Sequence, residues 1–307
     1  MPDDAQPWSV AWSRAVLEPG GFYRRDTGHA EDHFPTFVTR DARTARRIAA
    51  IAAPALLRLA ADGTDPTVTD VGAADGTLLH QLMAELPAGL VDVVRWRAID
   101  IRDRPEDADD RIEWIRADAR TVAGRVEPAA GLLVAHELLD DVPCDVVETD
   151  DDGRLRLILV DPRTGAQRLG PGLDEHGACR SLGVDAERSL AWIEEWWHRS
   201  EPAARIEVGW QRDDAWTSLT RLVTHGIALA VDYGHVRAER LAGQWDGGTL
   251  VGYRRGRATT PVPDGSCNLT AHVAIDSCAA AVDAAATRLD RPDDGDGFWW
   301  LAHELAR

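Results

Sequence analysis

Acidic side chains collect at the ends of apolar runs in this chain, where they could bind a cation or a sugar hydroxyl. The run AGLLVA, residues 130–135, passes directly into His136, Glu137, Asp140 and Asp141. If that segment turns helical, Glu137 and Asp140 share a face and could accept hydrogen bonds from a guanidinium or an amine. Alternatively, they form the acidic first turn of a helix, stabilised by its dipole. A second run, VVRWRAID, residues 93–100, ends in Asp100. An acid placed there in an open α/β sheet accepts from the ribose hydroxyls of a nucleoside; alternatively it caps the following turn. Asp118, just beyond RIEWI, would reach the same edge, where it or the amides beside it meet an adenine amino group.

The element that gathers these acids is TVTDVGAADGTLLHQLM, residues 67–83. Its first residues alternate and then run apolar, Gly72 permits a tight backbone turn, and TLLHQLMAEL has helical spacing. Unpaired amides at the start of such a helix attract the anionic part of a ligand. Asp75 would repel pyrophosphate, and the full GxGxxG pattern is absent. Four strand ends thus converge on an adenosine-sized site with acids and without a phosphate cluster. That pattern suits a cationic nucleoside such as S-adenosylmethionine (SAM) better than NAD or ATP.

A chain of 307 residues with 44% hydrophobic content buries a large core, as one enlarged domain or a domain with a sizeable insertion. Its formal charge is −18, and every basic residue is arginine. Attraction to nucleic acid or to an anionic membrane is disfavoured, whereas a basic protein or peptide is attracted; alternatively the acidity only maintains solubility. Cys144, Cys179, Cys267 and Cys278 lie far apart without metal-ligand spacing, so no metal is expected and a reduced cytosol is. MPDDAQPWSVAWSR lacks the features of a secretory signal, and no run is apolar enough for a membrane span. The expectation is a cytoplasmic protein.

Five segments carry a more specific likeness: GGFYRRDTGHAEDHFPT, DVGAADGTL, VAHELLDDVPCDVVE, ALAVDYG and GTLVGYRRG followed by PVPDGSCNLTAHV. In this order they resemble the MidA-like SAM-dependent methyltransferases, relatives of the mitochondrial arginine methyltransferase of complex I assembly, and most closely the actinobacterial branch. The resemblance implies an α/β class I SAM-dependent methyltransferase, a Rossmann-like twisted sheet with helices on both faces and an inserted substrate-binding subdomain. On that basis residues 1–60 form an N-terminal cap, 61–144 and 220–307 the SAM-binding core, and 145–219 the insertion. Gly72 and Gly76 correspond to the SAM loop, Asp100 to the ribose acid, and Glu137 with Asp140 to the acidic pair of the family. Gly28, Asp32, His33, Phe34 and Thr36 match a segment that closes over the methionine end of SAM. Asp70, Ala73, Asp75, Ile101, Asp118, Ala119 and His136 complete the cofactor-binding candidates. Thr270, Ala271, His272 and Val273 match the carboxyl-terminal signature. Asp75-Gly76-Thr77, His136 and Phe37 depart from the family pattern, His136 standing where Asn is usual.

The implied reaction is transfer of the SAM methyl group to an arginine nitrogen of a protein or peptide. Glu137 is the first candidate for orienting the guanidinium, with Asp140, Asp32 and His272 as further catalytic candidates; His272 is alternatively structural. Two other readings fit: a non-catalytic assembly factor that keeps the fold, and a small-molecule methyltransferase of secondary metabolism. A homodimer is compatible with either.

Elsewhere, residues 150–173 read as a hairpin. Residues 185–200 read as an amphipathic helix whose Trp192, Trp196 and Trp197 pack a core or line an acceptor wall. IALAVDYG, residues 227–234, reads as a buried strand bringing Asp232, Tyr233 and Gly234 to the site. DGGTLVGYRRG and LTAHVAI read as the final antiparallel strands of the main sheet, and the last stretch as a charged loop before a short tryptophan-rich helix.

Overall fold

Apolar runs separated by helices build a parallel sheet. The computed structural model describes residues 4–24, 42–197, 202–293 and 295–306. Its largest sheet contains β1 (Thr67–Val71), β2 (Arg95–Asp100), β3 (Ile112–Arg116), β4 (Ala129–His136), β5 (Val223–His235), β6 (Ala286–Asp290) and β7 (Phe298–Ala306). The order across it is β6-β7-β5-β4-β1-β2-β3. β1 pairs in parallel with β2 and β4, β2 with β3, and β4 with β5. The order reverses between β1 and β4, and such a switch point opens a crevice beyond the carboxyl ends of the strands. β1 is buried along its whole length, as a strand covered on both faces must be.

Two glycines let the middle strands approach. Gly131 in β4 lies opposite Thr67 and Gly226. A Cβ on Gly131 would stand 2.0 Å from the Thr67 carbonyl oxygen, and one on Gly226 would stand 1.9 Å from the Gly131 oxygen. Their φ angles, +143° and +135°, belong to a region that only glycine occupies readily.

The chain divides into two compact units: Pro35–Leu139, Asp214–Asp232 and Ala279–Arg307 in one, Met1–Phe34, Asp140–Asp213 and Tyr233–Cys278 in the other. The first, the parallel-sheet unit, holds all seven labelled strands apart from the last three residues of β5. Its helix Arg43–Ala61 buries Ala45, Ile48, Ala49, Ala52, Leu56 and Leu59, one stripe at helical spacing. It packs on the helix Thr77–Glu85 and on β4. Residues 43–60 therefore belong with the sheet rather than with a separate amino-terminal cap.

The second unit is antiparallel. Gln6–Pro7, Leu155–Val160, Asp145–Thr149, Arg205–Val208 and Gln167–Gly172 form a five-stranded sheet, and the expected hairpin is the pairing of Leu155–Val160 with Gln167–Gly172. The expected amphipathic helix spans Ala186–Trp196. Trp192 and Trp197 are buried against Val147, Leu157 and Ile206, with Trp196 partly buried beside them. Trp192 Nε1 donates to Asp213 and Ser277, which identifies this indole as core.

Two expectations fail at the carboxyl end. Val251–Arg254, Arg257–Thr259 and Asn268–Thr270 form their own three-stranded sheet; of the expected strands only Val273–Ala274 joins the main sheet, in parallel with the end of β5, and the final antiparallel pair of that sheet is β6 and β7. The tryptophan-rich stretch is thus strand β7 and not a helix; its burial alternates in part, with Trp300, Leu301, His303 and Leu305 covered. With 233–278 falling in the antiparallel unit, the insertion is larger than residues 145–219.

Candidate functional site

The loop after β1 is wound left-handed three times, at Gly72 (φ +79°), Ala74 (+54°) and Gly76 (+83°). Its amides are tied down in turn: Gly72 N donates to Ile99 O at 2.8 Å, Ala74 N to Asp100 Oδ2 at 2.9 Å, and Gly76 N to Ala73 O at 2.7 Å. A Cβ on Gly72 would meet Leu138 Cδ1 at 3.0 Å. Gly76, at the helix N-cap, has no side chain to cap with, and Asp75 Oδ1 takes the Thr77 amide at 2.9 Å instead. The altered triplet Asp75-Gly76-Thr77 therefore keeps an ordered helix start.

Asp100 and Asp118 share one local device. Asp100 Oδ1 accepts from Arg102 N at 2.8 Å and Arg102 Nε at 3.2 Å. Asp118 accepts from Arg120 N at 2.9 Å and Nε at 3.0 Å through Oδ1, and from a terminal guanidinium nitrogen at 2.7 Å through Oδ2. Asp100 is thus a cap on its own turn, and also the strap that holds the first loop through Ala74. A carboxylate has about four acceptor positions, so the bonds from Ala74 N, Arg102 N and Arg102 Nε leave Asp100 room for one hydroxyl donor. Sequence reasoning missed Arg102 and Arg120, although the repeated Asp-x-Arg spacing is visible in IDIRD and RADAR. Ile101 and Ala119 occupy the middle of these turns.

Asp70, buried in β1, has its pKa pushed up to about 8 by burial first and then by the charges of Asp100 and Asp75. It is predominantly protonated at neutral pH and adds no full charge beneath the loop.

β4 ends in an irregular turn where a helix was one expectation. Glu137 has φ +47°, a conformation that costs a residue with a Cβ roughly 1–2 kcal/mol. Its amide donates to Val231 O at 2.9 Å, and Asp232 Oδ2 accepts from Leu138 N at 3.2 Å and Leu139 N at 2.8 Å. Asp232, fully buried at the end of its run, fixes the turn that carries Glu137. The sequence placed Asp232 near the site without this role. His136 packs on Phe298 with ring centroids 5.3 Å apart, and its Nδ1 lies 3.6 Å from Glu137 Oε1. Burial pushes its pKa down to about 4, so the imidazole is neutral.

Asp140 belongs to the antiparallel unit and has structural partners there. Its Oδ2 accepts from Thr270 Oγ1 at 2.7 Å, and its carbonyl accepts from Ala271 N at 3.2 Å and from Arg212 at 3.0 Å. Burial raises its pKa, against the Thr270 hydroxyl and the Arg212 charge. Arg212, itself buried, also donates to the carbonyls of Val142 at 3.1 Å and His272 at 2.7 Å. The segment Thr270–Val273 is thereby tied to residues 140–142, and no sequence signal marked Arg212 as the tie. Asp141 accepts from the Tyr23 hydroxyl.

His272 lies between two short strands and stacks on Tyr233 at 6.0 Å with an 18° tilt. Trp245 is 5.1 Å away, and burial lowers the His272 pKa. Gly28, Asp32, His33, Phe34 and Thr36 lie outside the described residues.

The donor set fits SAM. A glycine loop in which a Cβ at residue 72 would press on Leu138 leaves backbone exposed to a ligand, and Asp100 Oδ2 holds that loop through the Ala74 amide. An acidic rim without a phosphate cradle matches a cationic nucleoside.

Residues 48–292 match the model of a family described as S-adenosyl-L-methionine-dependent methyltransferase. Among solved structures, the chain is similar to a superfamily protein of Burkholderia thailandensis crystallised with S-adenosyl-homocysteine bound. The TM-score is 0.71 at 20% identity, covering 98% of this chain and 88% of that one. A native crystal structure of an uncharacterised superfamily protein from the same organism gives a TM-score of 0.68 at 20% identity, over 98% and 87% of the two chains. No curated protein matches the chain. The fold is that of the class I SAM-dependent methyltransferases. Among the described residues no helix is long and apolar enough to cross a membrane.

Proposed function

We propose that this chain, which belongs to the S-adenosyl-L-methionine-dependent methyltransferase family matched over residues 48–292, methylates a guanidinium nitrogen of arginine in a protein or peptide. Within that family the five ordered segments favour the MidA-like group. The observation that carries the proposal is Glu137. A carboxylate is held in a left-handed turn by Asp232, at the end of the strand beside β1, where the sheet order reverses. Strain of this kind persists where the surroundings over-determine it.

SAM supplies an electrophilic sulfonium methyl group. The residues that would hold it are the backbone of Gly72 to Gly76 and the carboxylate of Asp100. Glu137 would accept hydrogen bonds from two guanidinium N–H groups, fix the free nitrogen lone pair in line, and offset the charge of the nitrogen as the N–C bond forms and the C–S bond breaks. The proton released from that nitrogen leaves through the Glu137 carboxylate to solvent. The chain's net charge of −18 favours approach of an arginine-bearing, basic partner.

Calorimetric titration with SAM and S-adenosylhomocysteine tests the cofactor part. Gly72→Asp is expected to bring a carboxylate and a Cβ against Leu138 and to weaken both ligands more than about tenfold, a loss above roughly 1.4 kcal/mol, while the circular dichroism spectrum stays native. Unchanged binding would move the cofactor elsewhere. Methyl transfer to arginine peptides, compared with lysine peptides and small amines, tests the acceptor; turnover confined to small molecules would replace arginine by a metabolite.

A further inference from the structure

Methyl transfer turns the sulfonium of SAM into a neutral thioether, so the spent cofactor carries one positive charge fewer. Asp70 is placed to respond to that difference. It is 3% exposed and lies in β1 two residues before Gly72, opposite Ala98 of β2 and Val134 of β4. The loop above gives it no donor. The Gly72 and Ala73 amides turn to Ile99 O, the Ala74 amide to Asp100 and the Gly76 amide to Ala73 O. No hydrogen bond to the Asp70 carboxyl is found among the described residues. A buried polar group left this way is rare without a cause.

The charges around it oppose its ionisation. Asp75 stands in the loop and Asp100 at the end of β2, and both act against a carboxylate at Asp70. Glu137 follows the end of β4, and His136 before it is neutral. The helices Arg43–Ala61 and Thr77–Glu85 bury only apolar residues and Thr44. Arg102 is bonded to Asp100 and does not reverse the balance at Asp70.

Resting on the placement of SAM at the Gly72–Gly76 loop, we propose that Asp70 distinguishes SAM from S-adenosylhomocysteine by releasing its proton when the sulfonium form binds. In the free protein, burial and the two neighbouring acids hold the carboxyl neutral. A cation bound at the loop favours the carboxylate through space, so no contact with Asp70 is required. The proton passes to solvent, and the site gains one negative charge against the added positive one. The neutral thioether supplies less of that charge, and Asp70 keeps more of its proton. By linkage the effect is reciprocal. SAM affinity is weakest in acid, where Asp70 is protonated with or without ligand, and strengthens as the pH rises towards about 8. Affinity for S-adenosylhomocysteine changes less, so the spent cofactor competes less well at the alkaline end.

Calorimetry of the full chain in two buffers of different ionisation enthalpy counts the protons released on binding. At about pH 7 the wild type should release about half a proton more than Asp70→Asn with SAM, and a smaller excess with S-adenosylhomocysteine. The ligands' own amino groups titrate in this range, and the comparison between the two proteins cancels them. Between about pH 6 and about pH 8, SAM affinity of the wild type should rise about fivefold relative to the variant. The Asn amide imitates the neutral acid, so both ligands should still bind. Should the variant fail to fold, infrared spectroscopy of the wild type decides: SAM should diminish the band of protonated carboxyl groups, and S-adenosylhomocysteine should diminish it less. Equal proton release by the two proteins, or an equal infrared change with the two ligands, overturns the assignment while the cofactor site stands. Full SAM affinity in Gly72→Asp overturns the placement at the loop, and the assignment with it.

Discussion

Glu137→Gln is expected to lower the turnover of an arginine peptide by about 100- to 1,000-fold, the range seen when one preorganised electrostatic contact to a transition state is removed. S-adenosylhomocysteine affinity should hold within about twofold, because the carboxylate is assigned to the acceptor rather than to the cofactor. The amide keeps the size and one acceptor of the carboxylate but loses the charge that offsets the attacking nitrogen. Glu137→Gly separates function from folding. Glycine removes the cost of φ +47°, so this variant should be more stable than the wild type by about 1 kcal/mol while its turnover falls at least as far. A stabilised, inactive protein is the signature of a residue kept in strain for its chemistry. Turnover within about threefold of the wild type in Glu137→Gln would remove this residue from the mechanism.

The second large effect concerns Asp70 and stability. Its folded pKa, about 8, lies above the ordinary 3.8, so the folded state binds a proton that the unfolded state has lost throughout that window. The stability linked to this proton is fully present below the ordinary value and is lost as the pH rises through about 8, a change of about 6 kcal/mol over the whole window. Asp70→Asn is uncharged at every pH and should lack the loss. Chemical denaturation at about pH 5 and about pH 9 should therefore show the variant gaining about 4 kcal/mol on the wild type between the two conditions. An equal difference at both would mean that Asp70 is solvated or charge-paired in the folded protein. His136 titrates in the opposite sense: its folded pKa lies below its unfolded value of 6.5, so its contribution is present above that value and lost as the pH falls through about 4. Above about pH 7 His136 has no further effect, and the difference between the wild type and Asp70→Asn isolates the part of the decline that belongs to Asp70.

β2, β4 and β5 were legible because each carries an apolar run that leads into an acid, Asp100, Glu137 and Asp232, and strands covered on both faces carry that pattern without alternation. The same rule explains what was missed. β6, Ala286–Asp290, is mostly exposed, and β7 carries three bulky aromatic or imidazole side chains among its buried positions, so neither resembles an interior strand. TLVGYRR and NLTAHV have convincing strand composition, yet composition does not say which sheet a strand joins. Partner choice is tertiary in the same way. Glu137 and Asp140 stand three residues apart in sequence, but Asp232 secures the turn of the one and Thr270 bonds the carboxylate of the other. Those partners arrive from about 95 and 130 residues downstream, a distance at which local periodicity carries no information. The Asp-x-Arg turns are the opposite case: donor and acceptor are two residues apart, and the motif could have been read directly.

The glycine pair in the middle strands has a consequence at the level of the gene. A glycine codon can change to several others by one base, and every amino acid so encoded has a Cβ. At codon 131 such a change aims that atom at a carbonyl oxygen 2.0 Å away, and at codon 226 at one 1.9 Å away. Both codons are thus silent or ruinous, with no graded series of alleles between. In a saturation library sorted for protein abundance they should be nearly empty columns, whereas codon 137 should stay populated in the same sort and empty only when the library is sorted for methyl transfer.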